Sequence, residues 1–394
     1  KLGKRLKNSL ILYMIFNKEK IINFRKELHQ NPELSDKEYL TAKKIVEFAE
    51  KFKPDNIISN IGGNGVVVIF SGKLPGVNVL FRADIDALPI QEANTFEYKS
   101  TNNNVSHKCG HDGHMAILMG LCEAISNNRP EKGSVILLFQ PSEENGQGAH
   151  RVISDSVFKK EVNPDYSFGL HNLPGFEKKA IVIRENTFAS ASKGMIIKLK
   201  GRTSHAGEPE NGNSPAIAMS DIIKELTLLP KENDFNDFVL TTVIHARLGD
   251  IAFGTTPGYA EVMATLRSYT NNDMDKLIRF AEKIVKDNCK KTKLNYDISY
   301  TEEFPATVNN SKALEYIKIA AKETNSKIKI LEKPFRWSED FAHYGRISKS
   351  TFFGLGSGLD CPQLHNSDYD FPDDIIETGV NMFYNVYTQL IKIN

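Results

Sequence analysis

Several short runs carry apolar residues at odd and even positions alike, and this constrains the fold more than any other feature of the chain. Residues 66–70 read Val-Val-Val-Ile-Phe, and 135–139 read Val-Ile-Leu-Leu-Phe. A strand with one wet face alternates apolar and polar residues, whereas a strand buried on both faces does not. Residues 77–81 are a further short apolar run and 166–170 read as another strand, and Ser71-Gly72-Lys73-Leu74-Pro75-Gly76 supplies turn chemistry between 66–70 and 77–81. Helical spacing intervenes: Ile21, Phe24, Leu28 and then Ala42, Ile45, Phe48, Ala49, broken at Asn31-Pro32, predict two helices over 18–53, and 115–125 predicts another. Strands alternating with helices indicate an α/β sheet covered on both faces.

The texture changes near residue 188. Residues 194–200 alternate, 214–229 has helical spacing, 238–246 and 260–267 are strand-like, 273–288 is helical and 294–300 strand-like. That βαββαβ order fits a small ferredoxin-like α+β sandwich. Beyond it, 312–324 reads as a helix, 351–355 as a strand and 375–393 as a closing helix. The expected organisation is a catalytic α/β domain with a central mixed sheet in two parts, 1–187 and 302–394. A smaller lid or dimerisation domain, 188–301, interrupts it.

The 394 residues exceed one domain of about 150 residues. Fifty Lys and Arg balance 49 Asp and Glu, which argues against a nucleic-acid partner. No apolar run reaches the roughly 18–20 residues of a membrane helix. Basic residues 1–7 followed by apolar 10–16 imitate a signal peptide, but no small-residue cleavage site follows. Residues 1–17 are expected to be an N-terminal extension, with Met14 a candidate natural start. Four cysteines are too few for a disulfide framework and suit a reducing compartment, so a cytoplasmic enzyme is expected.

Metal-type residues collect where these strands end: Arg82-Ala83-Asp84-Ile85-Asp86, His107-Lys108-Cys109-Gly110-His111-Asp112-Gly113-His114, Gln140-Pro141-Ser142-Glu143-Glu144, His171, and His365 in a late loop. In open α/β sheets, active sites form at the carboxyl ends of strands. Singly, each element has an ordinary structural explanation: Cys-Gly-His occurs by chance, and Glu143-Glu144 fits a solvated turn. Jointly they point to a metal. Gly110 lets Cys109 and His111 turn toward one centre, and adjacent carboxylates after a buried strand are costly without a cation. Thiolate, imidazole and carboxylate together suit Zn²⁺ or Mn²⁺, with Co²⁺ or Ni²⁺ possible, rather than Mg²⁺ or Ca²⁺. Five or more ligands exceed one tetrahedral site, so two divalent ions are expected.

Phe24-Arg25-Lys26-Glu27-Leu28-His29-Gln30-Asn31-Pro32-Glu33-Leu34-Ser35, Arg82 to Ile90, Cys109 to His114 and Gln140 to Glu144 resemble the aminoacylase and carboxypeptidase G-type dinuclear metallopeptidases. The nearest branch is the amidohydrolases that include hippurate hydrolase, indole-acetyl-amino-acid hydrolases and N-acetyldiaminopimelate deacetylase. Gly169-Leu170-His171, Gly201 to Ala206, Thr265-Leu266-Arg267, Ser338 to Phe341 and Leu364-His365-Asn366 continue the match in order, over nearly all the chain after residue 18. The resemblance implies that Cys109, His111, Glu144, His171 and His365 ligate two metals, that Glu143 is the general base and that Asp84 orients the site. It further implies that His205 polarises the scissile carbonyl, often from a partner subunit, and that Arg267 holds a substrate carboxylate. His29, His107 and His114 are read as supporting residues, and Arg82 as a partner of acidic neighbours. The implied substrate is a small N-acyl-amino acid, and the implied assembly a homodimer through the inserted domain.

Two positions depart from the pattern. Relatives carry an Asn ahead of the Thr-Leu-Arg strand where this chain has Gly254, and Phe335-Arg336-Trp337 is bulkier than the pattern. Trp337 can line a pocket or simply pack. An aminopeptidase or dipeptidase on the same centre is the alternative, but it needs a site for a free ammonium that the sequence does not display. A non-enzymatic relative would have lost the base, and Glu143 is present.

Overall fold

The computed structural model describes residues 16–391. The expected extension and signal-like stretch up to residue 15, Met14 and the end of the closing helix lie outside them. The chain runs α1 (Lys18–Gln30), α2 (Tyr39–Ala49), β1 (Asn56–Ile61), β2 (Gly65–Ser71), β3 (Leu74–Asp84), α3 (His111–Asn127), β4 (Lys132–Gln140), α4 (Gly148–Ser154), α5 (Ser156–Glu161) and β5 (Tyr166–Pro174). It continues through β6 (Ile181–Ile183), β7 (Asn186–Ala189), β8 (Ala191–Lys200), β9 (Ser204–His205), α6 (Ala216–Glu232), β10 (Val239–Leu248), β11 (Thr255–Thr256), β12 (Tyr259–Ser268), α7 (Asn271–Thr292) and β13 (Asn295–Phe304). It closes with β14 (Thr307–Asn309), α8 (Ser311–Glu323), β15 (Ile328–Ile330), β16 (Lys349–Gly358) and α9 (Ile376–Ile391). These elements divide into two compact units. The first holds the residues up to Phe188, Val308–Lys333 and those from Asp340 onward, and the second holds Ala189–Thr307 and Pro334–Glu339.

In the first unit an eight-stranded mixed sheet has the order β1-β2-β4-β3-β5-β16-β6-β15. Its centre is parallel: β4 with β3, β3 with β5, and β5 with β16. Parallel neighbours require long crossovers, which α3 and the α4–α5 pair supply. β2 buries every residue but its last, and β5 buries all of them. On one face Val66, Val68, Phe70, Val79, Phe81, Val135, Leu137 and Phe139 share a core with Ile21, Phe24 and Leu28 of α1, most of α3, Leu314 and Ile317 of α8, and Val380 and Phe383 of α9. Each such side chain contributes roughly 1.5–3 kcal/mol on burial.

α1 begins where Asn17 accepts a hydrogen bond from Lys20 N (3.0 Å). Its inward stripe includes two ionisable residues, Arg25 and His29, both buried. α3 begins at His111, four residues earlier than the apolar pattern suggests, because Gly110 adopts a left-handed φ of +90° directly before it. A Cβ at Gly110 would lie 2.6 Å from Asn172 Oδ1, so position 110 admits no side chain without displacing Asn172. β5 runs on to Pro174, so His171 sits within the strand rather than at its end.

The second unit has a four-stranded sheet ordered β10-β12-β8-β13, antiparallel throughout, with α6 and α7 against one face. Met195, Ile197 and Leu199 of β8 and Val262, Ala264 and Leu266 of β12 meet Ile222 and Leu226 of α6 and Leu277 and Ala281 of α7. α6 runs through Pro230 to Glu232. β10 is an edge strand. No helix among the described residues is long and apolar enough to cross a membrane.

Candidate metal centre

The chemistry-bearing residues of the first unit gather around the start of α3. Cys109 precedes Gly110, and His111 opens the helix. His111 Nδ1 donates to the backbone carbonyl of Asp86 (2.8 Å). That bond leaves the lone pair of the neutral ring on Nε2. His111 Nε2 has no hydrogen-bond partner and lies 3.6 Å from Asp84 Oδ2 and 3.7 Å from Glu144 Oε1. His171 repeats the device: Nδ1 donates to Asn172 O (2.8 Å), and Nε2 lies 3.4 Å from Cys109 Sγ. A backbone carbonyl that fixes one ring nitrogen while the other faces a cluster of anions is how proteins orient metal-ligating histidines.

Glu143 and Glu144 follow β4 on a turn whose Ser142 has a left-handed φ of +55°. Glu38 holds that turn by accepting from Ser142 N (2.9 Å) and Asn64 Nδ2 (2.9 Å). Glu144 N donates to Asp86 Oδ2 (3.0 Å), while buried Glu144 Oε1 has no partner. His365 reaches the group from the late loop, with Nε2 3.9 Å from Glu144 Oε2. It too is left-handed, at φ +68°, and its backbone N donates to Lys108 O (2.8 Å). Left-handed non-glycine residues cost of order 1–3 kcal/mol each and concentrate at functional sites.

The electrostatics describe a box with too much negative charge. Burial above all pushes Glu144 up to about 7, with His111 opposing and Asp86 adding to the rise. Burial, then Glu144 and Glu143, hold the Cys109 thiol well above its usual range. Burial acts to lower His111, but Asp84, Asp86 and Glu144 outweigh it and lift the ring to about 10. In this arrangement His111 borrows a proton to neutralise its neighbours, a part a divalent cation takes far better. Cys109, His111 and His171 form one group able to hold an ion, Cys109, Glu144 and His365 another, and His111, Glu143 and Glu144 a third. The orphaned Nε2 and Oε1, and the soft-plus-hard donor set, fit divalent transition metals.

Asp84 is held from two sides, by Arg82 Nη1 (2.7 Å) and His114 Nδ1 (2.6 Å). Burial acts to raise its pKa, but His111, His114 and Arg82 prevail and keep the carboxyl well below the usual range. The other nitrogen of His114 meets Asn172 Oδ1 (2.5 Å), so His114 is a hydrogen-bonded supporting residue, as expected. Arg82 pairs with acidic neighbours, also as expected, and donates from Nε to Gln140 Oε1 (2.8 Å) and from Nη2 to Asp340 Oδ1 (2.8 Å). Three carboxylates that the sequence left without a role anchor the site: Glu38, Asp86 and Asp340. Asp86 had a signal, its place two residues beyond Asp84, the last residue of β3; the other two act through contacts distant in sequence.

His205 and Arg267 belong to the second unit. His205 pairs with Thr255 between β9 and β11, and its Nδ1 accepts from Gly207 N (3.1 Å). The neutral ring therefore carries its N–H on Nε2. Arg267, on β12, donates from Nη1 to Arg336 O (2.9 Å) and Ser338 Oγ (3.1 Å), and pairs with no carboxylate among the described residues. Trp337 stacks on Phe335 with ring centroids 4.7 Å apart. Gly254 accepts from Ala206 N (3.0 Å), and a Cβ added to it would meet nothing within 4 Å.

Comparison with known proteins places the chain in a family. The profile of Peptidase family M20/M25/M40 matches residues 80–389. Hippurate hydrolase of Campylobacter jejuni is 29% identical over 93% of this chain and 96% of its own length. N-acetyldiaminopimelate deacetylase of Lactobacillus helveticus is 28% identical over 93% and 96%. Among solved structures, a dinuclear metal binding peptidase of this family from Bacillus subtilis superposes with a TM-score of 0.81 at 23% identity, over 95% of this chain and 98% of that one. The fold, the cluster around His111 and the span of the match lead to one conclusion: the chain belongs to Peptidase family M20/M25/M40 and is a hydrolase of amide bonds.

Proposed function

We propose that the chain hydrolyses N-acyl-amino acids to a carboxylate and a free amino acid at a centre of two divalent ions, Zn²⁺ or Mn²⁺. The observation that carries this reading is the pair of Nδ1-anchored histidines, His111 and His171, offering Nε2 toward Cys109 and the carboxylates. In this reading Cys109, His111, Glu144, His171 and His365 hold the ions. When bound, such ions supply Lewis acidity that polarises an amide and brings the pKa of a water toward neutrality.

Glu143 is 6% exposed, inside the cluster but open enough to meet a reactant. Its carboxylate accepts a proton from the attacking water and passes it to the departing amine. Asp84, locked by Arg82 and His114, orients the site. His205 Nε2–H donates to the scissile carbonyl oxygen as charge develops there, and Arg267 holds the carboxylate of the amino-acid product side. The second unit also supports a homodimer. β10 is a sheet edge carrying exposed Ile244 and Leu248, a template for pairing with a second copy. The free cysteines agree with a cytoplasmic setting.

The test is metal analysis together with a panel of N-acetyl, N-benzoyl and N-indoleacetyl amino acids and unblocked dipeptides. Turnover of the N-acyl compounds, lost on chelation and restored by Zn²⁺ or Mn²⁺, is expected. Turnover confined to the dipeptides would replace this reading with a peptidase on the same centre.

A further inference from the structure

Three carboxylates from two parts of the chain converge on one buried guanidinium behind the metal cluster. Arg25, on α1, places Nη1 2.9 Å from Asp112 Oδ2 and 2.9 Å from Asp370 Oδ1, and Nε 2.6 Å from Asp373 Oδ1. Asp112 directly follows His111 in the first turn of α3. Asp370 and Asp373 lie on the stretch that leaves His365. The side chains of Arg25 and Asp112 are wholly buried, while those of the two loop carboxylates are 25% exposed. A second line of ion pairs runs alongside. His29 bridges Asp112 (2.8 Å) and Glu92 (3.0 Å), and Glu92 meets Lys108 Nζ (2.5 Å). Lys108 Nζ donates to Tyr369 O (2.7 Å), and Lys108 O receives the backbone N–H of His365.

We propose that Arg25 is a positioning residue that sets the span between His111 and His365, acting as a charged rivet between α3 and the late loop. This rests on the reading of His111 and His365 as ligands of the same centre. His365 is poorly placed to hold its own position: its side chain is 53% exposed and its backbone is left-handed. Its place is set from behind, by what fastens the loop. Backbone hydrogen bonds and the Lys108 ammonium, which donates to Tyr369 O, join that loop to the 92–108 segment. Arg25 ties it by ion pairs to the residue next to His111. A guanidinium suits the task because it stays charged when buried and spreads that charge over three nitrogens; here Nη1 alone hydrogen-bonds Asp112 and Asp370, and Asp373 is held beside Nε as an ion pair. Buried and matched to several anions, it also cannot leave without stranding them. The cluster divides accordingly. The group Cys109, Glu144 and His365 depends on the loop, and the group Cys109, His111 and His171 does not.

The experiment cuts the rivet from its more exposed end, with a double Asp370→Asn, Asp373→Asn variant that leaves the Arg25–Asp112–His29 pairing in place. An Arg25→Met variant is the companion, and cooperative thermal unfolding verifies that each is folded. Hydrogen exchange on the metal-stripped protein should show faster exchange over 359–373 and none of that increase over 66–70. Zinc titration of the stripped double variant should show one equivalent bound as in the wild type and the other at least tenfold more weakly. Unchanged exchange over 359–373 in the folded variant overturns the proposal. So does binding of both equivalents at wild-type affinity, or equal weakening of both, which marks a general structural role. A wild-type protein that takes up no zinc or manganese would instead overturn the ligand reading, while the exchange data would still decide whether Arg25 fastens the loop.

Discussion

His111 Nδ1 lies 2.8 Å from the carbonyl oxygen of Asp86, and that one bond decides which end of the ring faces the carboxylates. Asp86 in turn accepts from Glu144 N through its side chain, so one residue orients a histidine and a glutamate of the same cluster. The consequences can be measured.

Cys109→Ser should lower metal content below two per chain and reduce turnover at least tenfold, because a hydroxyl is a far weaker ligand than a thiolate for these ions. Elemental analysis after gel filtration reads the first effect. Full metal content together with full activity would remove Cys109 from the ligand set.

Glu143→Gln keeps the shape of the side chain but cannot accept a proton. Metal content and substrate binding should persist while kcat falls about a hundredfold or more. Near-normal turnover would shift the base to another group, with Asp84 the first to examine.

In the second unit, His205→Ala should lower mainly kcat and Arg267→Ala should mainly raise KM. Loss of one carbonyl donor is worth roughly 3–4 kcal/mol in the transition state. If the partner chain supplies His205, mixing His205→Ala chains with Glu143→Gln chains should recover part of the activity, since one hybrid site is then complete. No recovery in a verified mixed dimer means that each chain supplies its own.

Stability of the metal-stripped protein should depend on pH through His29 and Glu92. Burial acts to lower the His29 pKa, but Asp112 and Glu92 overcome it and lift it from 6.5 to about 9. A raised pKa means the stabilisation is complete below 6.5 and is lost as pH rises through 9, a loss of about 3 kcal/mol. Glu92 moves the other way. Burial acts to raise it, but His29, Lys108 and the Ser100 N–H bring it from 4.5 to about 2, so its share is present above pH 4.5 and lost toward pH 2. Urea unfolding of wild type and His29→Gln at pH 6 and pH 9 tests this: the variant should lose less on going to pH 9. An equal loss in both would assign the alkaline decline elsewhere.

The central sheet is legible in the sequence because burial on both faces leaves runs such as Val66 to Phe70 with no polar alternation. The candidate metal cluster is legible because Cys109, Gly110 and His111 are contiguous, and Glu143 and Glu144 follow directly on a buried strand. What stays hidden is whatever depends on long-range pairing. Arg25 and His29 sit on the apolar stripe of α1, where spacing alone gives no hint that each meets a carboxylate far along the chain. Asp340 looks like any surface acid until it is seen accepting from Arg82, Gln140 and Ala149 N. α3 starts earlier than the apolar spacing predicts for a local reason: His111 and Asp112 are polar, and an apolar pattern cannot register a helical turn whose inward side chains are ionisable.

Gly254 has open space where a side chain would project, and it needs no left-handed backbone. Enlarging it therefore asks nothing of the surrounding packing, unlike Gly110, where Asn172 stands in the way. An amide can be introduced there by Gly254→Asn with the fold indifferent to the change, so any shift in substrate preference would be a clean reading of that amide's chemistry. Positions of this kind are where a lineage can retune what its enzyme accepts without first having to repair the protein.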